Sequence, residues 1–322
     1  MRLFPVLLAA LATFAATPAV ANVGYMHLEI PDPAGKPLEI GIWYPSDAPA
    51  TDVAIEAERQ HVAVDGAVRG TGLPLVLMSH GHGGSFAGHF DTAIALAEAG
   101  YVAAAVTHNG DSWHDASQAV EIWNRPRQLK VMADYLLGTW AGRNHIDAQH
   151  VGAFGFSAGG FTVLAAAGGE PDVKQLAPHC REHPAFEDCQ IVAQAHLKLD
   201  RSITWVHDTR IKAVVSAAPA LGFAFGKAGL AHVTVPVQLW RAEDDQVLPN
   251  PFYAEAVRQD LPQAPEMHVV PRAGHYDFIP PCSDILQRHA PVICVSEAGF
   301  DRAAFHRQFN HDVVAFFDRT LR

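Results

Sequence analysis

An α/β fold built on a mostly parallel sheet is what this chain predicts, on three observations. Short, unbroken apolar runs recur at residues 74–79, 101–107, 151–156, 211–217, 235–240 and 266–270, as in strands buried on both faces. Helical patterns lie between several of them, at 86–99, 127–137 and 251–261. Alternating strand and helix requires parallel pairing with right-handed crossovers. The run at 151–156 also passes straight into Gly155-Phe156-Ser157-Ala158-Gly159, a sharp strand-to-helix turn with a serine at its apex.

Taken in order, the chain opens with Arg2, an apolar stretch over 6–16 and the small-x-small sequence Ala19-Val20-Ala21. Residues 1–21 are thus expected to be a cleavable secretory signal, placing the protein in the periplasm or outside the cell. Residues 38–44 alternate apolar and polar side chains, which predicts an antiparallel strand with one wet face. A polar stretch follows to about residue 72, and then the strand and helix alternation begins. Residues 168–210 break that rhythm. A segment this long between a helix and the next strand is expected to be functional, here as a cap over Ser157. The last helix, over 301–321, has apolar positions at Ala304, Phe305, Phe309, Val313, Phe316 and Phe317. No Pro/Ser-rich linker divides residues 22–322, which read as one domain carrying the 168–210 insertion.

With 49% hydrophobic and 18% charged residues, the chain has the material for a large core. A formal charge of −11, with no basic run, argues against nucleic acid or anionic membrane as partner. The four cysteines fall as two close pairs, Cys180 with Cys189 and Cys282 with Cys294. Four cysteines allow three pairings. Local pairing is expected, because each irregular loop needs a staple and an exported chain permits one. A zinc site made of all four thiolates lacks Cys-x-x-Cys spacing.

A serine at such a turn is inert without a base, an acid that orients the base, and donors for the oxyanion. The strand at 266–270 leads into Gly274-His275, a position suited to the base. The strand at 235–240 ends in Glu243-Asp244-Asp245, any of which could be the acid. Upstream, the strand at 74–79 leads into His80-Gly81-His82-Gly83-Gly84. Glycines there let the backbone approach a carbonyl, with the N–H groups of His82 and Ala158 as donors. The order Ser, acid, His is that of an α/β-hydrolase fold. A competing reading takes His80 and His82 with His108, Asp111, His114 and Asp115 as metal ligands. Gly84 and Ser85 stand where the matching His-x-His-x-Asp-His motif needs Asp and His, and the reading leaves Ser157 and His275 unexplained.

The chain is similar to secreted bacterial proteins of the predicted dienelactone hydrolase group, related to platelet-activating-factor acetylhydrolase. The shared features span most of residues 22–322: Trp43-Tyr44-Pro45, His80-Gly81-His82-Gly83-Gly84, Thr107-His108-Asn109-Gly110-Asp111, Trp123-Asn124-Arg125-Pro126, Gly155-Phe156-Ser157-Ala158-Gly159-Gly160, Asp245-Gln246-Val247-Leu248-Pro249 and Ala273-Gly274-His275-Tyr276-Asp277-Phe278. The resemblance implies an ester hydrolase with a Ser157, Asp245 and His275 triad, and its Asp-x-x-x-Pro spacing selects Asp245 over Asp244. Dienelactone hydrolases proper carry a cysteine nucleophile where this chain has Ser157.

The expected function is hydrolysis of small carboxylic esters with short or medium acyl groups, through an acyl-enzyme and without metal or cofactor. Trp113, Trp123, Trp205, Phe223, Phe225 and Tyr276 are expected around the sheet's carboxyl edge as an aromatic pocket. Acyl transfer and amide or polyester cleavage use the same residues. A non-catalytic binding protein of this fold would be marked by a missing triad member.

Overall fold

The computed structural model describes residues 22–195 and 203–322. The signal sequence expected over 1–21 lies outside the described residues, as do positions 196–202 of the segment expected as a cap. The strands are β1 (Asn22–Ile30), β2 (Leu38–Ser46), β3 (Thr51–Ile55), β4 (Glu58–Val64), β5 (Leu73–Ser79), β6 (Val102–Val106), β7 (Ile146–Phe156), β8 (Ile211–Ala217), β9 (Val237–Ala242) and β10 (Glu266–Val270). They form one sheet in the order β10-β9-β8-β7-β5-β6-β2-β1-β4-β3. From β10 to β6 every pairing is parallel, while β2 runs antiparallel to both β6 and β1.

The helices are α1 (Phe90–Glu98), α2 (Asn124–Gly138), α3 (Ala158–Ala166), α4 (Leu176–Glu182), α5 (Glu187–Ala195), α6 (Gly226–Leu230), α7 (Ala254–Asp260), α8 (Asp284–His289) and α9 (Arg302–Leu321). Strand side chains alternate between two core layers, as a period of two requires. Leu75, Leu77, Val102, Ala104, Val151 and Ala153 face a layer with Leu129 and Met132 of α2 and Phe161 of α3. Val76, Met78, Ala103, Phe154 and Phe156 face the other, with Leu96 of α1 and Phe309 and Phe317 of α9. Helix α9 starts where the Asp301 carboxylate accepts the Ala304 N–H at 2.8 Å, satisfying one free donor of the first turn.

Two sequence expectations change. Strand β2 has no wet face: Ile40, Ile42 and Tyr44 lie in one core layer and Trp43 in the other, all buried. Helix α1 packs on one side of it and α2 on the other, so both faces are covered. The polar stretch before residue 72 contains the β3–β4 hairpin. That hairpin extends the sheet beside β1 and is tied inward by the Trp43 Nε1–H donating to Gln60 Oε1 at 2.9 Å. The segment expected as a cap holds α4 and α5. Both cysteine pairs are closed locally, Cys180 with Cys189 and Cys282 with Cys294. No described helix is long and apolar enough to cross a membrane.

Candidate active site

Strand β7 ends at Phe156 and α3 begins at Ala158, leaving one residue for the turn. Ser157 takes it at φ 56° and ψ −119°, a left-handed backbone that costs a non-glycine residue about 1–3 kcal/mol. The Ser157 N–H donates to Ala217 O on β8 at 2.9 Å, and Ser157 O accepts from Ala220 and Phe161. The flanking glycines are there for space. A Cβ on Gly155 would stand 2.1 Å from Gly159 O, and one on Gly159 would stand 1.9 Å from Ser79 O. The turn thus packs backbone on backbone and delivers a buried Oγ at the N-terminus of α3.

Strands β9 and β10 are parallel neighbours, so the loops after them emerge side by side at the edge where Ser157 sits. His275 Nε2 lies 3.0 Å from Ser157 Oγ, and His275 Nδ1 lies 2.8 Å from Asp245 Oδ2. The other oxygen of Asp245 accepts the N–H groups of Val247 and Leu248 at 3.0 and 2.7 Å. Those two bonds fix the carboxylate and aim Oδ2 at the imidazole. With Nδ1–H donating to Asp245, Nε2 is left to accept the serine proton. Asp244 is exposed, and Glu243 accepts the Arg272 N–H. Asp277 lies elsewhere in the His275 loop. It accepts from Gly274 N–H, Ser296 Oγ and Arg302 Nε at 2.8, 2.5 and 3.0 Å, so it secures the loop rather than the ring.

The loop after β5 carries His82 to the same place, and Ala158 opens α3, so its N–H has no carbonyl one turn back. Both residues line one cavity. Behind this loop lies a polar network. Buried Arg125 donates to Asp111 Oδ2 and to His80 O, and its Nε–H donates to Thr162 Oγ1 at 3.2 Å. Asp111 Oδ1 accepts from Gly83 N–H at 3.2 Å and from His82 Nδ1 at 2.5 Å. Burial would raise the Asp111 carboxyl, but the Arg125 guanidinium and His82 outweigh it and hold it well below the usual range. The same hydrogen bond raises His82, against its own partial burial. Burial, aided by Arg125, pushes His80 down to about 3.

Those bonds bear on the metal alternative. His80 donates Nδ1–H to Gly81 O and accepts the His108 N–H at Nε2, while His108 spans Ser79 Oγ and Gln128 Oε1. Both rings are thus already occupied within the protein. Among the described residues, the one cluster with metal-ligand spacing is His179, Asp188 and Cys189, and Cys189 is committed to a disulfide.

The cavity beside Ala158 holds about 80 Å³. Its walls are mainly apolar: Val173, Leu176, Ile191 and Val192 come from the 168–210 segment, and Val120, Ile122 and Trp123 from the stretch before α2. Of the aromatics expected there, Trp123 lines it. Trp205 and Phe225 pack on Phe161 in the core. Phe223 stacks on His179 at 3.6 Å, Trp113 is 69% exposed, and Tyr276 stands edge-on to His275 with its hydroxyl 3.4 Å from Glu187. Asp188 of α5 also reaches the cavity wall, where burial raises its carboxyl and both oxygens accept the Tyr253 hydroxyl at 3.0 Å. That bond clasps α5 to the segment that follows Asp245.

A ferulic acid esterase from Streptomyces cinnamoneus superposes with a TM-score of 0.67 at 21% identity, covering 96% of this chain and 92% of its own. The fold is the α/β-hydrolase fold. Within it, residues 88–177 match the prolyl oligopeptidase family of peptidases, a span that includes Ser157 and ends before Asp245 and His275. No curated protein matches the chain. In this fold the sheet's carboxyl edge carries the Ser157 turn, the His275 loop and the Asp245 loop together.

Proposed function

We propose that this α/β-hydrolase is an exported serine hydrolase that cleaves carboxylic esters of short or medium acyl chains. The observation that carries the reading is the unbroken line Ser157 Oγ, His275 Nε2, His275 Nδ1, Asp245 Oδ2, with gaps of 3.0 and 2.8 Å, next to a mainly apolar cavity that Ala158 and His82 line. His275 takes the Ser157 proton as Oγ adds to the substrate carbonyl. Negative charge then develops on the carbonyl oxygen, where the His82 and Ala158 N–H groups stabilise it. His275 returns the proton to the departing alcohol, leaving an acyl group on Ser157. A water activated by the same ring releases the acid. The apolar cavity walls favour an uncharged chain beside the scissile bond. Arg125, buried behind the His82 loop, is occupied by Asp111 and the His80 carbonyl, so it is not placed to hold an anionic substrate. The closed disulfides suit an oxidising location.

Replacing Ser157 by Ala tests the reading. It should leave the fold intact and lower turnover of nitrophenyl esters by on the order of 10⁴-fold or more, and labelling by a fluorophosphonate should vanish. Wild-type protein that resists labelling at Ser157 refutes the proposal. Turnover should persist in EDTA, since each step is assigned to a side chain or backbone N–H. The likeness to a peptidase family over 88–177 supports a second reading, cleavage of peptide amides. Paired ester and amide substrates of one acyl group decide between them through kcat/KM.

A further inference from the structure

The two N–H groups assigned to the oxyanion come from separate elements, the loop after β5 and the start of α3. One side chain reaches both. Arg125, fully buried on α2, donates through Nη2 to the carbonyl of His80, two residues before His82. It donates through Nε to Thr162 Oγ1 at 3.2 Å, and Thr162 Oγ1 donates to Ala158 O at 2.7 Å. Its third bond goes to Asp111, whose other oxygen accepts the N–H of Gly83 and the side chain of His82. A planar guanidinium fixes three directions at once, which an ammonium cannot do.

We propose that Arg125, Asp111 and Thr162 are positioning residues that set the spacing of the His82 and Ala158 N–H donors. None of them touches the reacting atoms. They act by holding the peptides adjoining those that carry the donors, 80–81 and 82–83 on one side and 158–159 on the other, so that the donors meet the oxyanion without moving. This inference rests on the serine hydrolase reading. It adds that a buried, charged brace, rather than the glycine loop alone, preorganises the hole.

Thr162→Val and Asp111→Asn test it, with Thr162→Ser as the variant that keeps the hydroxyl. Thr162→Val is nearly isosteric and remote from the substrate, so it keeps the fold and decides the matter even if Asp111→Asn does not fold. Turnover is measured per Ser157 labelled by a fluorophosphonate, so that misfolded molecules are not counted. Displacing a donor should lower kcat by roughly 10- to 100-fold with little change in KM. The inhibition constant of a trifluoromethyl ketone, whose adduct carries the oxyanion, should rise in step. Thr162→Ser should recover most of the loss. The proposal is overturned if kcat per labelled serine stays within about threefold of wild type in Thr162→Val. It is equally overturned if the loss falls in KM or in the labelled fraction. Failure to label wild-type Ser157 would remove the serine reading and the brace together, whereas normal labelling with unchanged kcat would remove the brace alone.

Discussion

Asp245 shows how far one side chain's surroundings decide its chemistry. Its Oδ1 is held by two backbone N–H groups and its Oδ2 by His275. An asparagine there must keep its oxygen on the two N–H donors, which turns its NH₂ toward His275 Nδ1. The ring would then have to carry its proton on Nε2, where it cannot accept one from Ser157. Asp245→Asn should therefore lower kcat by roughly 10³- to 10⁴-fold, with the fold intact. Asp244→Asn, at an exposed carboxylate outside this line, should change kcat by less than about threefold. Steady-state kinetics of the two variants check the assignment, and the reverse ranking would refute it.

At the scale of elements, the His275 loop is fastened twice. The Cys282–Cys294 disulfide closes a loop of sequence separation 12. Arg302, at the start of α9, ties that loop to Asp277 through Nε and to the carbonyls of Ile293 and Val295. Replacing both cysteines by serine should cost about 2–4 kcal/mol of stability, chiefly through a freer unfolded chain. Turnover at 25 °C should change little, because Asp277 remains anchored. Arg302→Met should do more harm. It leaves the buried Asp277 carboxylate without its cation, a loss of about 3–5 kcal/mol, and it frees the His275 loop, so kcat should fall as well. Denaturant unfolding and kinetics of both variants check this. Equal loss of kcat in the two would show that the disulfide holds the loop as much as the ion pair does, against this expectation.

For the whole molecule, the buried histidines govern the response to acid. Burial pushes His80 down to about 3 and His89 to about 4, and holds His108 well below its usual value. Arg125 adds to the effect on His80 and His108. Each is neutral in the folded protein, while its unfolded counterpart takes a proton near about pH 6.5. Between that pH and the folded values, the unfolded chain binds more protons, so stability rises with pH and falls on acidification. Above about pH 6.5 the three contribute no slope. Below it, each contributes about 1.4 kcal/mol per pH unit until the folded ring is protonated. Tm should therefore drop steeply between about pH 6.5 and 4, and scanning calorimetry across that window measures it. A flat Tm there would mean that these rings are not neutral in the fold.

Much of the sheet was legible because buried parallel strands are written as unbroken apolar runs. The run at 266–270 has the bounds of β10. The Ser157 turn was legible for a more local reason. Its glycines answer to backbone contacts within two residues of the serine or to the adjoining strand, so the demand is stated in the pentapeptide itself. What the tertiary structure decided is whatever depends on neighbours far along the chain. Alternation in β2 promised a wet face, but α1 and α2 cover its two sides, and the hairpin of β3 and β4 is set by pairing rather than by apolar content. Trp205 and Phe225 have the composition of pocket residues, yet only packing on Phe161 decides that they face the core. His80, Asp111 and Arg125 stood in motifs of the resemblance, but nothing along the chain joined them into a brace, since Asp111, Thr162 and the His80 carbonyl lie 14, 37 and 45 residues from Arg125. A buried charge is tolerable only where the fold gathers its partners, and no periodicity along the chain records that gathering.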